Sequence, residues 1–133
     1  MRIDLHAHST ASDGTDAPAQ LVANAALAGL DVVAITDHDT TAGWDEAIAA
    51  RPDGLTVVLG TEFSCVYVPP AGPRINLHLL GYLFDRNDKA LKAERGRLRD
   101  SRLHRAEEIV ANLVADDYPI SWPQVQAIAG EGV

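Results

Sequence analysis

Short apolar runs alternate with helical patterns along the first half of the chain. In chain order, these runs and patterns occupy residues 3–5, 17–30, 32–36, 41–50 and 55–60. Strands that alternate with helices of this length are typical of a parallel α/β sheet or barrel, because each helix returns the chain to the end from which the next strand starts. The pattern therefore predicts a βαβαβ order.

Two further extended segments follow, at residues 62–68 and 75–83. Between them, residues 69–73 include three prolines, which cannot continue the hydrogen-bond ladder of a strand. We therefore expect a turn or loop between two separate extended segments.

The character of the sequence changes at residue 87. Residues 87–115 are rich in Arg, Glu, Leu and Ala, with apolar side chains near helical spacing, which predicts one long helix or two helices broken near Gly96. A last short helix is expected from residue 121 towards residue 130. The chain should thus comprise an α/β part, residues 1–86, and a helical part, residues 87–133.

Composition and charge narrow the classes of function. With 133 residues, 47% of them hydrophobic, the chain fits one domain or part of one. No stretch of about 18 apolar residues predicts a membrane span. The formal net charge of −8 argues against non-specific attraction to nucleic acid or anionic membranes. An anionic substrate would need local positive charge, which bound divalent metal ions supply.

The amino-terminal segment and the single cysteine bear on the cellular compartment. Polar and ionisable residues stand where a secretory signal has its apolar stretch, and one cysteine, Cys65, cannot form an intramolecular disulfide. We therefore expect a cytoplasmic protein with no disulfide partner. Cys65 is expected in the core, because free cysteine is among the most buried residue types.

Four of the five histidines lie in or directly after predicted strands, beside acidic or other polar residues. His6 and His8 are two residues apart, so an extended chain points both rings to one face. The other candidate ligands are Asp13 in the polar loop after the first strand, His38 and Glu62 at the ends of the second and third strands, and His78 within the extended segment 75–83. Active sites of parallel α/β folds gather at the carboxyl ends of the strands, so these side chains are expected to meet.

Each of these motifs is a weak signal when taken alone. An H-x-H pair is often a surface pair, and a lone histidine in a strand is more often an interior residue than a ligand. Three successive strands that each end in ligand-type residues make joint metal binding the better interpretation. Imidazole and carboxylate donors suit manganese, iron and zinc alike, with magnesium also compatible, so the ligand types do not identify the metal.

Three segments resemble the opening motifs of one enzyme family. They are Asp4-Leu5-His6-Ala7-His8-Ser9 with Ser12-Asp13-Gly14-Thr15, Ile35-Thr36-Asp37-His38-Asp39-Thr40, and Gly60-Thr61-Glu62-Phe63-Ser64. Together they are similar to the PHP (polymerase and histidinol phosphatase) family of metal-dependent phosphoesterases. With Thr41-Ala42-Gly43 they most resemble its branch of nucleoside bisphosphate phosphatases and oligoribonucleases. The resemblance covers residues 1–83 strongly and the remainder weakly.

The resemblance implies a fold and a metal centre. The fold is a distorted α/β barrel of the (β/α)7 type, of which this chain would form the N-terminal part together with the start of a helical insertion. The centre would contain up to three divalent ions. The ions would be held, in turn, by His6, His8 and Glu62, by Glu62 and His78, and by Asp13 and His38.

The resemblance also implies an activity, the hydrolysis of phosphate esters of nucleotides or short oligonucleotides by a metal-activated water. Asp13, His38 and Glu62 are the ligands expected to act directly in catalysis. Asp37 and Asp39 are expected to orient imidazole rings by hydrogen bonds to their free ring nitrogens.

The helical part resembles the beginning of an insertion that, in this branch, covers the mouth of the barrel and helps to bind the substrate. Arg99, Arg102 and Arg105 recur every three residues on the predicted helix and either reach a phosphate or form a solvated face. His104 is expected at the surface. A full barrel needs on the order of 250 residues, so a longer chain or a second chain would supply the remaining strands and ligands.

Two other classes of function remain open. A metal-dependent amidohydrolase also begins with H-x-H on a barrel strand, but only Glu62 fits its bridging ligand and residues 36–39 do not belong to its pattern. From a different class, the chain is a catalytically incomplete fragment, or a regulatory module that binds metal without turnover. Phosphate release in the presence of manganese separates an enzyme from such a module.

Overall fold

Four strands form one sheet in the order β1-β2-β3-β4 in the computed structural model, which describes residues 1–129. The elements in chain order are β1 Ile3–Ala7, α1 Pro18–Leu27, β2 Val32–Ile35, α2 Trp44–Ala49, β3 Thr56–Tyr67, β4 Ile75–Tyr82, α3 Lys89–Ala115 and α4 Trp122–Ala129. The first three strands pair in parallel, whereas β4 is antiparallel to β3. The predicted βαβαβ order and the α/β class are confirmed.

The sheet curls, so that its two outer strands approach each other. The hydroxyl of Tyr82, at the end of β4, donates a hydrogen bond to the carbonyl oxygen of Leu5 on β1 at 2.7 Å. Curling of this kind is what closes a sheet into a barrel. The described chain thus has the form of a half-barrel.

The hydrophobic core lies where α1 and α2 pack against the sheet. Val33 and Ile35 of the central strand β2 are buried against Val22 of α1 and Trp44 of α2. The indole N–H of Trp44 donates to the carbonyl oxygen of Gly60 at 2.9 Å, which ties α2 to β3. This packing fixes the carboxyl end of β2 and the middle of β3, near which the candidate ligands His38 and Glu62 lie.

Strand β3 is continuous, so the prediction of separate extended segments at residues 55–60 and 62–68 is wrong. Residues 56–59 pair with β2, and residues 60–67 pair with β4. The strand changes partner at Gly60, where an added Cβ would lie 2.8 Å from the carbonyl oxygen of Gly81. Glycine therefore permits the close approach of β4, and a strand that changes partner needs no break in the chain.

Helix α3 is unbroken at Gly96, so the first of the two predicted arrangements is correct. Its N-cap is Asp88, whose side chain accepts a hydrogen bond from the backbone N–H of Leu91 at 2.9 Å. Only Arg95 and Val110 of this helix are buried. The helix therefore packs against the rest of the structure without a broad apolar face.

Arg95 anchors the first turns of α3. Its Nη2 donates to the carbonyl oxygen of Arg86 at 2.8 Å, and its guanidinium lies 5.7 Å from the centre of the Phe84 ring. Burial lowers the pKa of Arg95 from its ordinary value. The first turns of α3 therefore pack against Phe84 through a cation–π contact of Arg95, and not through an aliphatic side chain.

Three further expectations from the sequence concern the last helix, the burial of Cys65 and membrane-spanning segments. The last helix begins at Trp122 as expected, and Gly130, towards which it was predicted to run, lies outside the described residues. Cys65 is only partly buried, contrary to the core prediction, because its end of the β3–β4 hairpin extends beyond the core cluster. Within residues 1–129, no helix combines the length and the apolar character that crossing a membrane requires.

The sheet also leaves apolar side chains in water. On β1, Ile3 is 49% and Leu5 43% exposed, and on β4, Leu77 is 47% and Leu79 62% exposed. Among the described strands, β1 and β4 each have only one neighbour. These are the surfaces that further strands would cover in a closed barrel.

Candidate metal centre

The six predicted ligand side chains come together at one end of the sheet. Their donor atoms form three overlapping groups, and within each group all atoms lie within 4.8 Å of one another. The groups are His6, His8 and Glu62, then His8, Asp13 and His38, then His38, Glu62 and His78. Strands β1, β3 and β4 and the loops after β1 and β2 contribute to this cluster.

Glu62 lies at the centre of the cluster. Its Oε2 is 2.7 Å from Nε2 of His6 and 2.8 Å from Nε2 of His8, while its Oε1 is 2.8 Å from Nδ1 of His78. The Glu62 side chain is only 6% exposed, whereas that of His6 is 50% exposed. A buried carboxylate whose two oxygens face different imidazoles has the geometry of a ligand that bridges two cations.

The spacing of these donor atoms fits a metal ion. The Nε2 atoms of His6 and His8 lie 3.1 Å apart, and both face the same oxygen of Glu62. Ligands that bind one ion at about 2.0–2.2 Å must lie roughly 3 Å from each other. Imidazole nitrogen and carboxylate oxygen are donors that first-row divalent ions accept. The residues present therefore fit the metal that the sequence predicts.

Asp13 and His38 form the second side of the cluster. Oδ1 of Asp13 is 2.7 Å from Nδ1 of His8, and its Oδ2 is 3.6 Å from Nε2 of His38. The same nitrogen of His38 lies 3.7 Å from Oε2 of Glu62. His38 therefore belongs to two donor groups, whereas the family resemblance gives it only one. Its buried Nδ1 has no hydrogen-bond partner among the described residues.

The pKa values of three of these groups favour the forms that bind metals. Burial lowers the pKa of His38, and Glu62 and Asp13 offset this only in part. Burial raises the pKa of Asp13 and of Glu62. Hydrogen bonds from His8 and His6, respectively, and the charge of His38 outweigh that effect and bring both pKa values below their ordinary range. At neutral pH, His38 is therefore neutral and both carboxylates are ionised.

Among the described residues, neither Asp37 nor Asp39 accepts a hydrogen bond from an imidazole, so the role predicted for them is corrected. Asp37 accepts hydrogen bonds from the backbone N–H of Ser9 at 2.7 Å and from the hydroxyls of Ser9 and Ser12 at 2.8 Å. Asp39 accepts from the backbone N–H of Ser64 at 2.8 Å and from its hydroxyl at 2.7 Å. Both carboxylates are therefore occupied by serine hydroxyls and backbone N–H groups, and the positive φ of 52° at Asp39 turns the chain directly after His38.

Of the three candidate arginines, Arg102 lies deepest in the site. Its Nη2 donates to Oδ2 of Asp39 at 2.5 Å and to the hydroxyl of Ser64 at 2.9 Å. Arg102 and Arg99 line a cleft of 330 Å³ beside His38. Arg102 and Arg105 line a second cleft of 470 Å³, which also contacts His38. His104 is 73% exposed, as expected for a surface residue.

The sequence reasoning missed the serines that support the site. Ser9 and Ser12 are buried and both donate to Asp37, and Ser64 links Asp39 to Arg102. The available signal was Asp37 itself, because a carboxylate at the end of a buried strand requires hydrogen-bond donors nearby.

Comparisons with known proteins agree with this geometry. The PHP domain matches residues 4–116. A 5′-3′ exoribonuclease from Haemophilus influenzae is 36% identical over 129 residues, which cover 96% of this chain and 45% of that protein. A 3′,5′-nucleoside bisphosphate phosphatase from Chromobacterium violaceum is 37% identical over 114 residues, which cover 85% of this chain and 38% of that protein.

A solved structure supports the same relationship. It comes from Bifidobacterium adolescentis and is described as that of a proposed metal-dependent phosphoesterase. It superposes with a TM-score of 0.86 at 39% identity, covering 99% of this chain and 44% of that one. The chain therefore spans less than half the length of these relatives.

Proposed function

Because the chain belongs to the PHP domain family, we propose that it forms the amino-terminal part of a metal-dependent phosphoesterase site. The observation that carries this proposal is the buried carboxylate of Glu62, which faces imidazoles from β1 and β4 within 2.8 Å. The relatives named as an exoribonuclease and a bisphosphate phosphatase favour phosphate esters of nucleotides or short oligonucleotides as substrates.

The candidate ligands give this site the chemistry that ester hydrolysis at phosphorus requires. Divalent ions held there would supply a water nucleophile at neutral pH and offset negative charge on the phosphoryl oxygens. Each donor group offers three protein ligands from the described residues, which leaves coordination positions for water and substrate. We assign Glu62, Asp13 and His38 a direct part in the reaction, since the Nε2 atom of His38 lies between the two carboxylates, 3.6 Å from Asp13 and 3.7 Å from Glu62.

The arginines of α3 supply fixed positive charge beside this cluster. Arg102 stands where both clefts meet His38, with Arg99 on one side and Arg105 on the other. A guanidinium forms charge-assisted hydrogen bonds to phosphate oxygens. Because Arg102 is already paired with Asp39, it would contribute hydrogen-bond donors to an anionic substrate more than net positive charge.

The finer assignments follow from the donor types and the composition. We propose up to three ions of manganese, iron or zinc, with magnesium as a further candidate. A single cysteine without a disulfide favours a cytoplasmic location. The remaining strands and ligands would come from a longer chain or a second chain, since the matched relatives are more than twice as long.

A second candidate function is metal binding without turnover, in a fragment or a regulatory module. The observation in its favour is the exposure of the outer ligands, because the side chains of His6 and His78 are 50% and 52% exposed. Ligands this open to water still allow ions to bind, but they leave a bound substrate unshielded from water, which disfavours turnover.

The first test is to measure the metal content per chain by elemental mass spectrometry and phosphate release from a nucleoside 3′,5′-bisphosphate with manganese. For the proposed enzyme we expect bound ions in the 133-residue chain, and bound ions together with phosphate release in a longer protein that supplies the remaining ligands. Metal binding without phosphate release in both would favour the second candidate. No bound metal in either would contradict both functions.

The variant Glu62→Gln tests whether Glu62 is the shared ligand. Replacing a partner of a metal ligand typically costs about 10–100-fold in metal affinity, so the loss of a bridging ligand should cost at least about 100-fold. Glu108→Gln, at a carboxylate that is 65% exposed on α3, is the matched control and should leave metal affinity unchanged. Equal affinity in the two variants would refute the role assigned to Glu62.

A further inference from the structure

We propose that Asp37 is a positioning residue that holds the loop of residues 9–16 in the conformation in which Asp13 reaches His8 and His38. This inference rests on the proposed function in one respect, since it takes Asp13 as a metal ligand. It assigns to Asp37 a role that acts through the loop backbone and not through an imidazole.

All the described hydrogen-bond partners of the Asp37 carboxylate belong to this loop. The carboxylate is fully buried, at 0% exposure. Its Oδ1 accepts from the backbone N–H and Oδ2 from the hydroxyl of Ser9, at 2.7 and 2.8 Å, while Oδ1 also accepts from the hydroxyl of Ser12 at 2.8 Å. Three short hydrogen bonds to one buried carboxylate fix both ends of the turn from Ser9 to Ser12.

Backbone hydrogen bonds to the carbonyl oxygen of Ser9 hold the loop in a tight turn. The carbonyl oxygen of Ser9 accepts from the backbone N–H of Ser12 at 3.0 Å and from that of Gly14 at 2.9 Å. A Cβ at Gly14 would lie 2.2 Å from the carbonyl oxygen of His8, so only glycine fits where the loop passes the end of β1. The backbone on both sides of Asp13 is therefore held close to His8, directly after the end of β1.

Asp13 depends on this support because its own side chain is 59% exposed. An exposed ligand on a loop must be ordered before it can bind an ion, and a preorganised loop removes that entropic cost from the binding step. Asp37 directly follows the buried residues Ile35 and Thr36 at the carboxyl end of β2. It thus joins the loop to the buried carboxyl end of β2.

The test compares Asp37→Asn with Asp39→Asn in the full chain without metal. The substitution at position 37 replaces one acceptor oxygen by an N–H₂ group, which faces one donor in place of Oδ2 or two donors in place of Oδ1, so at least one hydrogen bond to this side chain is lost. Asp39 is the matched control, because it is also buried but its serine partner is Ser64 on β3. The measurement is amide hydrogen exchange, followed residue by residue.

In Asp37→Asn we expect the amides of Ser12 and Gly14 to exchange at least about tenfold faster than in the unsubstituted chain, while the core amides keep their rates. Asp39→Asn should leave these two amides unchanged. A titration with Mn²⁺ then follows. The number of Mn²⁺ ions bound per chain should fall by the same fraction in Asp37→Asn as in Asp13→Asn.

Unchanged exchange of these amides in Asp37→Asn would overturn the proposal, and so would loss of Mn²⁺ without any change in loop exchange. If circular dichroism shows that Asp37→Asn does not fold, Ser12→Ala replaces it, since it removes only one donor and should produce a smaller increase confined to the loop. If the unsubstituted chain binds no Mn²⁺, the proposed function fails, while the exchange result still decides whether Asp37 holds the loop.

Discussion

At the scale of single residues, the acid–base state of the ligands follows from how closely they face one another. Asp13 and Glu62 receive hydrogen bonds from imidazoles, and His38 is buried between them. Proximity lowers the pKa of the carboxylates, and burial lowers that of His38. All three groups therefore release their protons more readily in the folded chain than in the unfolded one.

These shifts predict that the metal-free chain loses stability as the pH falls. A lowered pKa in the folded state means that the unfolded state binds more protons. The free energy of unfolding therefore rises with pH between the folded and the unfolded pKa value of each group. The loss should begin as the pH falls below the ordinary value of 6.5 for His38, and it should deepen below 4.5 for Glu62 and 3.8 for Asp13. Thermal melts from about pH 7.5 to about pH 2.5 measure it.

The variant His38→Gln is the control for the upper part of this pH range. It should melt at a temperature that is independent of pH near 6.5, while the loss caused by the carboxylates at lower pH persists. A melting temperature that rises on acidification of the unsubstituted chain would contradict the assignment.

At the scale of elements, helix α3 is attached by arginines and not by an apolar face. Arg95 lies over Phe84 near its start, and Arg102, two turns further along, reaches Asp39 and Ser64. Apolar residues such as Ile109, at 53% exposure, stay in water. The position of the helix over the metal centre therefore depends on a few polar contacts.

The variant Arg102→Gln should release this part of α3. It removes two hydrogen bonds, one of them to a buried carboxylate, so the free energy of unfolding should fall by roughly 1–2 kcal/mol. Urea unfolding measures the stability, and the rate of tryptic cleavage within α3 reports on its release. Arg105→Gln is a matched control, because it removes one tryptic site from the same helix without touching Asp39. If both variants are cleaved at the same rate, the contacts of Arg102 with Asp39 and Ser64 do not hold the helix against the sheet.

At the scale of the whole molecule, the half-barrel exposes apolar side chains at both outer strands. Sheet edges of this kind are templates for pairing with another chain. The 133-residue chain, studied by itself, is therefore expected to self-associate as its concentration rises.

The variant Leu79→Lys should reduce this association, because it places a charge on a β4 side chain that is 62% exposed. Sedimentation velocity over a range of concentrations measures the effect. Leu27→Lys, at a position that is 85% exposed at the end of α1, is the control and should leave association unchanged. Equal sedimentation of the two variants and the unsubstituted chain would exclude the β4 face as the surface of contact.

The sequence by itself determined the order of elements and the set of candidate ligands. Alternation of apolar runs and helical patterns is a local property of the chain, so β1, α1, β2 and α2 were predictable from it. The two-residue spacing of His6 and His8 likewise fixes their common face in a strand. The position of Glu62 after the third apolar run identified it as a candidate before any contact was known.

The tertiary structure decided which groups meet. The continuity of β3 depends on its change of partner at Gly60, and spacing cannot reveal a partner strand. The contacts of Asp37 with Ser9 and of Arg102 with Asp39 join residues far apart in the chain, and these contacts replaced the imidazole role predicted for both aspartates. Hydrogen bonds and pKa shifts act over a few ångströms, so only the folded arrangement of the chain determines them.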